Sequence, residues 1–160
     1  MTDCATPKGQ VAIGHERRLA HQMAARWNAD VTLTGAGVET DTAVVDALYS
    51  RRWVLMAVAE IKWRGASLTL ETLWQFGTYL ITHRKLQRGR VAARLLHVPL
   101  FLIVGLADCT VWWKVAEADG GWCEHPHVER TRTQRSINGG TALRWNAYLS
   151  LSRMHVEEGE

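Results

Sequence analysis

Val54-Leu55-Met56-Ala57-Val58-Ala59-Glu60-Ile61-Lys62 is the stretch whose reading decides the fold. An apolar run leads straight into an acid and a lysine, with Arg51-Arg52 before it and Arg64-Gly65 after it. The run reads as a buried strand from Trp53 to Trp63. Glu60 and Lys62 are two apart, so on a strand they share one face. Burying a charge costs several kcal/mol unless it is paired or bound to a metal. An acid and a lysine closing the most apolar strand are therefore candidates for chemistry.

Upstream, Val11 to Asn28 is expected to be helical. Glu16, Ala20, Met23 and Trp27 recur at helical spacing on one face, which places Glu16 on the inward stripe and leaves Arg17, Arg18 and Gln22 off it. Val31 to Thr34 reads as a short strand and Gly35-Ala36-Gly37 as a turn. Thr42 to Tyr49 reads as a second strand, paired with the third as a hairpin through Ser50-Arg51-Arg52. Downstream, Ser67 can cap, and Glu71 can support, a helix from about Leu68 to His97, with Gly89 as a candidate break. Pro99 opens a fully apolar strand, Leu100 to Leu106, and Thr110 to Ala116 follows after an Asp108-Cys109 turn. The order α-β-β-β-α-β-β predicts an α/β domain with a central mixed sheet flanked by helices. Residues 1–160 read as one domain with a core at about 11–116. In the C-terminal elaboration, 117–160, residues 122–140 read as loops and Ala142 to Met154 fits either a helix or a strand.

The composition is that of an ordinary globular chain, 47% hydrophobic and 22% charged. A net charge of +3 and a pI near 9.0 are compatible with nucleic acid without establishing it. Cys4, Cys109 and Cys123 show no regular spacing, which argues against a disulfide framework and fits a reducing compartment. The polar segment Met1 to Gln10 does not read as a signal peptide, and the longest apolar stretch is too short to span a bilayer. A soluble cytoplasmic protein is expected. Cys123-Glu124-His125-Pro126-His127 has no CxxC partner pair and reads as a polar loop. Trp112 and Trp113 point to opposite sides of their strand, so one is expected in the core.

An inward glutamate on the first helix, Val45-Asp46-Ala47-Leu48 on the second strand and Ala57-Val58-Ala59-Glu60-Ile61-Lys62-Trp63-Arg64 on the third resemble the PD-(D/E)xK nuclease superfamily, in its phage- and plasmid-type members. Gln75-x-x-x-Tyr79 is similar to the QxxxY motif of the RecB-like branch. The resemblance covers roughly residues 13–115. It implies a restriction-endonuclease-like core and Mg²⁺- (or Mn²⁺-) dependent hydrolysis of DNA, in a prokaryotic or phage-infected cell. It also implies roles for residues. Asp46, Glu60 and the backbone carbonyl of Ile61 would ligate the metal, and Lys62 would orient or deprotonate the attacking water. Glu16 would hold a second metal or tune the first. Gln75 and Tyr79, one helical turn apart, would contact the site or the DNA backbone.

The chemistry calls for these residue types. A phosphodiester is anionic and resists attack by water, and a hard cation held by carboxylates screens that charge. The aspartate leaves two readings open. A two-residue turn at Arg51-Arg52 pairs Asp46 near Ala57 and brings Asp41 closer to Glu60, whereas a longer loop or a bulge moves Asp46 toward Glu60.

His83 to Arg90, extended to Arg94, carries five fixed positive charges and no acid. Thr82, Arg84, Lys85, Arg88 and Arg90 are candidates for phosphate contact, Thr82 and Lys85 on the QxxxY side of the helix. Arg130, Arg132 and Arg135 form a second basic cluster, expected in a loop that could clamp DNA. The expected partner is DNA, with a homodimer or a larger DNA-processing complex as further expectations. A catalytically inactive nucleic-acid-binding protein of the same fold, and a protein-interaction domain with incidental basic patches, are the rival readings.

Overall fold

The computed structural model describes residues 7–35, 43–134 and 140–158. Helix α1 (Pro7–Arg26) leads into β1 (Asp30–Leu33), then β2 (Ala47–Arg51) and β3 (Val54–Trp63). Next come α2 (Leu70–Phe76), β4 (Thr78–Thr82) and α3 (His83–Leu96), followed by β5 (Leu100–Gly105) and β6 (Cys109–Ala116). The chain closes with β7 (His127–Gln134), β8 (Thr141–Ser150), a 3₁₀ turn at Leu151–Arg153, and β9 (His155–Glu158).

The six-stranded sheet has the order β1-β2-β3-β5-β6-β9. Its one parallel pair, β3 with β5, is joined by the crossover that carries α2, β4 and α3. The sheet is therefore mixed and central, as the sequence order predicts. A second antiparallel sheet, β4-β8-β7, lies outside that expectation.

Alternation along the strands sorts the core into two layers. Leu19, Ala20, Met23 and Ala24 of α1 pack with Ala57, Ala59, Ile61 and Ile103. On the opposite face Val58, Leu100, Leu102 and Val104 pack with Leu86 and Ala93 of α3 and with Tyr79, Ile81, Ala147 and Leu149 of the second sheet. Glu60 alternates with the α1-facing residues and so points toward the α3 side. Trp113 is buried in that second layer, and Trp112 packs against the first.

The expected continuous helix from Leu68 to His97 is replaced by α2, β4 and α3. Thr69, not Ser67, caps α2, accepting from Thr72 N at 3.2 Å, and Glu71 does lie in its first turn. Gly77 ends the helix at φ 73°, a left-handed conformation that costs a side-chain-bearing residue. The following Thr-Tyr-Leu-Ile-Thr alternates between half-buried, buried and exposed positions, and this period of two makes it a strand. Gly89 breaks nothing: α3 runs through it, and its missing side chain lets the helix approach the Leu100 methyls closely.

Residues 127–134 are strand β7 rather than loop, and 142–150 belong to strand β8. The second strand starts at Ala47 rather than Thr42, and the hairpin turns at Arg52-Trp53, both with positive φ. No helix among the described residues is long and apolar enough to cross a membrane.

Candidate active site

The site forms where β2 and β3 meet the buried layer under α3. Between Tyr49↔Ala57 and Ser50↔Leu55 the hairpin register shifts by one residue, a β-bulge. Beyond it Ala47 pairs with Ala59, and Asp46 N donates to Ala59 O at 2.8 Å. Continuing that register sets Asp46 opposite Glu60. Without the bulge Asp46 would oppose Ala59 and face α1, because a one-residue slip moves every side chain to the other side of the sheet. The bulge is thus what puts the two acids on one face. Asp41 lies outside the described residues.

Asp46 is held in place by Ile61 N, which donates to its Oδ2 at 2.8 Å. The Lys62 ammonium then sits among three oxygens: Nζ is 2.7 Å from Glu60 Oε1, 2.9 Å from the Ile61 carbonyl and 3.5 Å from Asp46 Oδ2. Glu60 is only 2% exposed. Its Oε1 is taken up by the close Lys62 pair, whereas Oε2 is buried with no hydrogen-bond partner among the described residues. A second cation reaches it from the first turn of α3, Lys85 Nζ at 3.6 Å. Glu16, on α1, accepts from Trp63 N at 3.3 Å at the end of β3.

Burial holds the Glu60 carboxyl above the usual carboxylate range, with Lys62 pulling the other way and Asp46 adding to the rise. Glu16 is raised too, again by burial first, with Lys62 opposing. For Lys62 burial alone would push the ammonium down, but Glu60, Asp46 and Glu16 outweigh it and hold it above the ordinary lysine value. The ammonium is the counter-charge for three acids, so it stays protonated while they surround it.

Two carboxylates and a backbone carbonyl are hard oxygen donors, the kind that suits Mg²⁺ or Mn²⁺. Among the described residues no group of three or more His, Cys, Asp and Glu side chains is placed to hold a metal. Such a donor set still fits Mg²⁺, which usually keeps several waters and takes only one or two carboxylates. The Oε2 oxygen of Glu60, buried without a hydrogen bond among the described residues, is the feature of this chain that a cation would satisfy.

The other predicted residues divide. Gln75 and Tyr79 do not share a helical face: Gln75 is exposed on α2, while Tyr79 is buried on β4. The Tyr79 hydroxyl is buried, with the Arg64 side chain placed to hydrogen-bond it. Burial raises its pKa, and the charges of Arg64 and Lys62 oppose that rise, so this strand residue lies close to the site. Thr82 ends β4 instead of lying within a helix, and Lys85 faces Glu60 rather than solvent alone. Arg84 is exposed and Arg88 half-buried on α3.

Arg90 is committed to structure: its Nε donates to Gly120 O at 2.8 Å, and its guanidinium lies 4.0 Å from the Trp122 ring centroid. Arg130 and Arg132 are exposed, but on β7 rather than in a loop, and Arg135 lies outside the described residues. What sequence reading missed is the central place of Lys85. Its signal was the Gly77 break, which fixes where α3 starts.

No curated protein matches the chain. A family model does, over residues 9–135, with the description "Phage putative PDDEXK endonuclease". That span takes in α1 from its third residue on, the hairpin with Asp46, Glu60 and Lys62, and α3. By this match, the chain belongs to the phage PDDEXK endonuclease family.

Proposed function

We propose that this chain is a metal-dependent deoxyribonuclease that hydrolyses DNA phosphodiester bonds at the Asp46, Glu60 and Lys62 centre. The observation that carries the reading is the convergence of Asp46 Oδ2, Glu60 Oε1 and the Ile61 carbonyl on one ammonium, with Glu60 Oε2 buried and without a hydrogen bond among the described residues. Asp46, Glu60 and Ile61 O would hold the metal, Mg²⁺ or Mn²⁺. A divalent cation there supplies positive charge against the scissile phosphate and acidifies nearby water.

Lys62 brings its positive charge beside the same oxygens. From there it would orient the attacking water or take its proton, and stabilise charge developing on the phosphate. Lys85 balances Glu60 from above and keeps a positive charge beside the phosphate. Glu16, at the far end of β3, tunes the charge on Lys62 or holds a second ion. The buried Tyr79 hydroxyl stands ready as a donor toward the site, and exposed Gln75 fits the DNA-contacting role. Arg84 and Arg88 extend the positive face of α3 along the DNA backbone.

The test is cleavage of plasmid, linear duplex, single-stranded and branched DNA in Mg²⁺, Mn²⁺ or EDTA, beside the Glu60→Ala and Lys62→Ala proteins. Metal-dependent cleavage that both substitutions abolish is the expected result. Folded wild-type protein that binds DNA but cleaves none of these would overturn the reading in favour of an inactive binding protein.

A further inference from the structure

The second sheet carries a projecting arm. β4 pairs with β8 only from Ser150 to Asn146, while β7 and β8 continue together to Gln134↔Thr141. The arm is therefore a two-stranded antiparallel ribbon that leaves the body where β4 ends. Its base is next to the candidate site: Asn146 pairs with Thr82, and three residues after Thr82 Lys85 reaches Glu60.

One face of this ribbon has an unusual composition. Residues paired across an antiparallel ladder point the same way. Tyr79 and Leu149, then Ile81, Ala147 and Val128, lie on the core face. Continuing outward on that face, Arg130 pairs with Trp145 and Arg132 with Leu143. Trp145 is 57% exposed and Leu143 is 49% exposed, although the core ends one ladder step earlier. Arg130 has no acidic partner among the described residues, and Arg132 meets only the Thr141 hydroxyl, at 3.4 Å. Glu129 lies on the opposite face with Thr131 and Asn146. Apolar side chains and unneutralised arginines thus alternate on a strip that runs straight from the site.

We propose that this face of the β7–β8 ribbon, Arg130, Arg132, Leu143 and Trp145, seats in a groove of duplex DNA and positions the backbone at the Glu60 centre. The proposal rests on the nuclease reading above. The charge complements phosphate, and strands about 4.8 Å apart make a ribbon narrow enough for the major groove, roughly 12 Å wide. Platforms for single strands stack successive bases on several rings. This face offers one ring with an aliphatic neighbour, which suits contact with base edges and sugars rather than a stacked run.

The test is binding of labelled duplex and single-stranded DNA to the full chain in EDTA, where metal-dependent cleavage does not intrude. Arg130→Gln/Arg132→Gln should weaken duplex binding about tenfold or more and lower the slope of log affinity against log salt by roughly two. Trp145→Ala should cost about tenfold with the slope unchanged. Thermal unfolding verifies that each variant is folded, and the arginine pair, wholly on the surface, carries the test should Trp145→Ala not fold. Unchanged duplex affinity in the folded arginine variant would overturn the proposal. A loss confined to single-stranded DNA would overturn it equally, in favour of a stacking surface. Cleavage is scored separately. Wild-type protein that cleaves while the ribbon variants bind normally loses the ribbon and keeps the nuclease, and protein that binds through the ribbon yet never cleaves does the reverse.

Discussion

Lys62→Ala removes the one cation that the Glu60, Asp46 and Ile61 oxygens share. Breaking a buried ion pair by removing one partner costs about 3–5 kcal/mol. Two features of the site reduce that figure: Lys85 stays 3.6 Å from Glu60, and Asp46 keeps its hydrogen bond from Ile61 N. A loss of about 2–4 kcal/mol in EDTA follows, a fall in melting temperature of about 4–16 °C for a chain of this size. The sign with pH is fixed as well. Glu60 is already raised by burial, and losing Lys62 raises it further. A group raised in the folded state stabilises below its unfolded value and loses that contribution as pH rises through the folded one. The deficit of Lys62→Ala should therefore be larger at pH 8 than at pH 5. Because the ammonium stands where the oxygen donors converge, its removal also opens that point to a divalent ion. Mn²⁺ should raise the melting temperature of Lys62→Ala more than that of wild type, although the variant does not cleave. The assay is thermal unfolding in EDTA and in Mn²⁺ at both pH values. An unchanged melting temperature in EDTA, or equal Mn²⁺ stabilisation of the two proteins, would refute the reasoning.

Metal capture should expel protons from Glu16 and Glu60, whose carboxyls burial holds above the ordinary range. Calorimetry in two buffers of different ionisation heat should find proton release and an affinity that climbs with pH until both groups are ionised; a flat profile with no release contradicts it. Gly77→Ala meets no atom within 4 Å, so its cost is the left-handed backbone alone, about 1–2 kcal/mol by urea unfolding, with Gly77→Asn losing less. Arg90→Ala should lower stability by about 1–2 kcal/mol through its lost contacts to Gly120 and Trp122 and leave the salt dependence of DNA binding intact. Arg84→Ala, at an exposed position, should do the opposite.

The strongly periodic parts of the chain were legible in its sequence. The apolar run into Glu60 and Lys62 announced a buried strand, and the stripe ending at Trp27 announced α1, because each buries a continuous set of residues. A bulge that moves Asp46 toward Glu60 was one of two readings the sequence left open, and only the folded hairpin shows the register shift, since one extra residue at Met56 is invisible to alternation. The helix drawn through Gly77 failed for a local reason. Gln75 and Tyr79 have helical spacing, and that spacing outweighed a glycine followed by Thr-Tyr-Leu-Ile-Thr, whose β-branched and aromatic residues favour a strand. The ribbon was missed because its polar, arginine-rich β7 looks like a loop until β8 pairs with it. Its outer half buries little, so it carries no hydrophobic period to read.

The central claim is that Asp46, Glu60 and the Ile61 carbonyl form a metal centre now balanced by Lys62. The most direct measurement is anomalous diffraction from crystals of the protein grown with Mn²⁺. The account predicts a peak bounded by these three groups, with the Lys62 ammonium withdrawn from between them, and no such peak in Glu60→Ala crystals. Full Mn²⁺ occupancy elsewhere, with Lys62 still paired to Glu60, would contradict it.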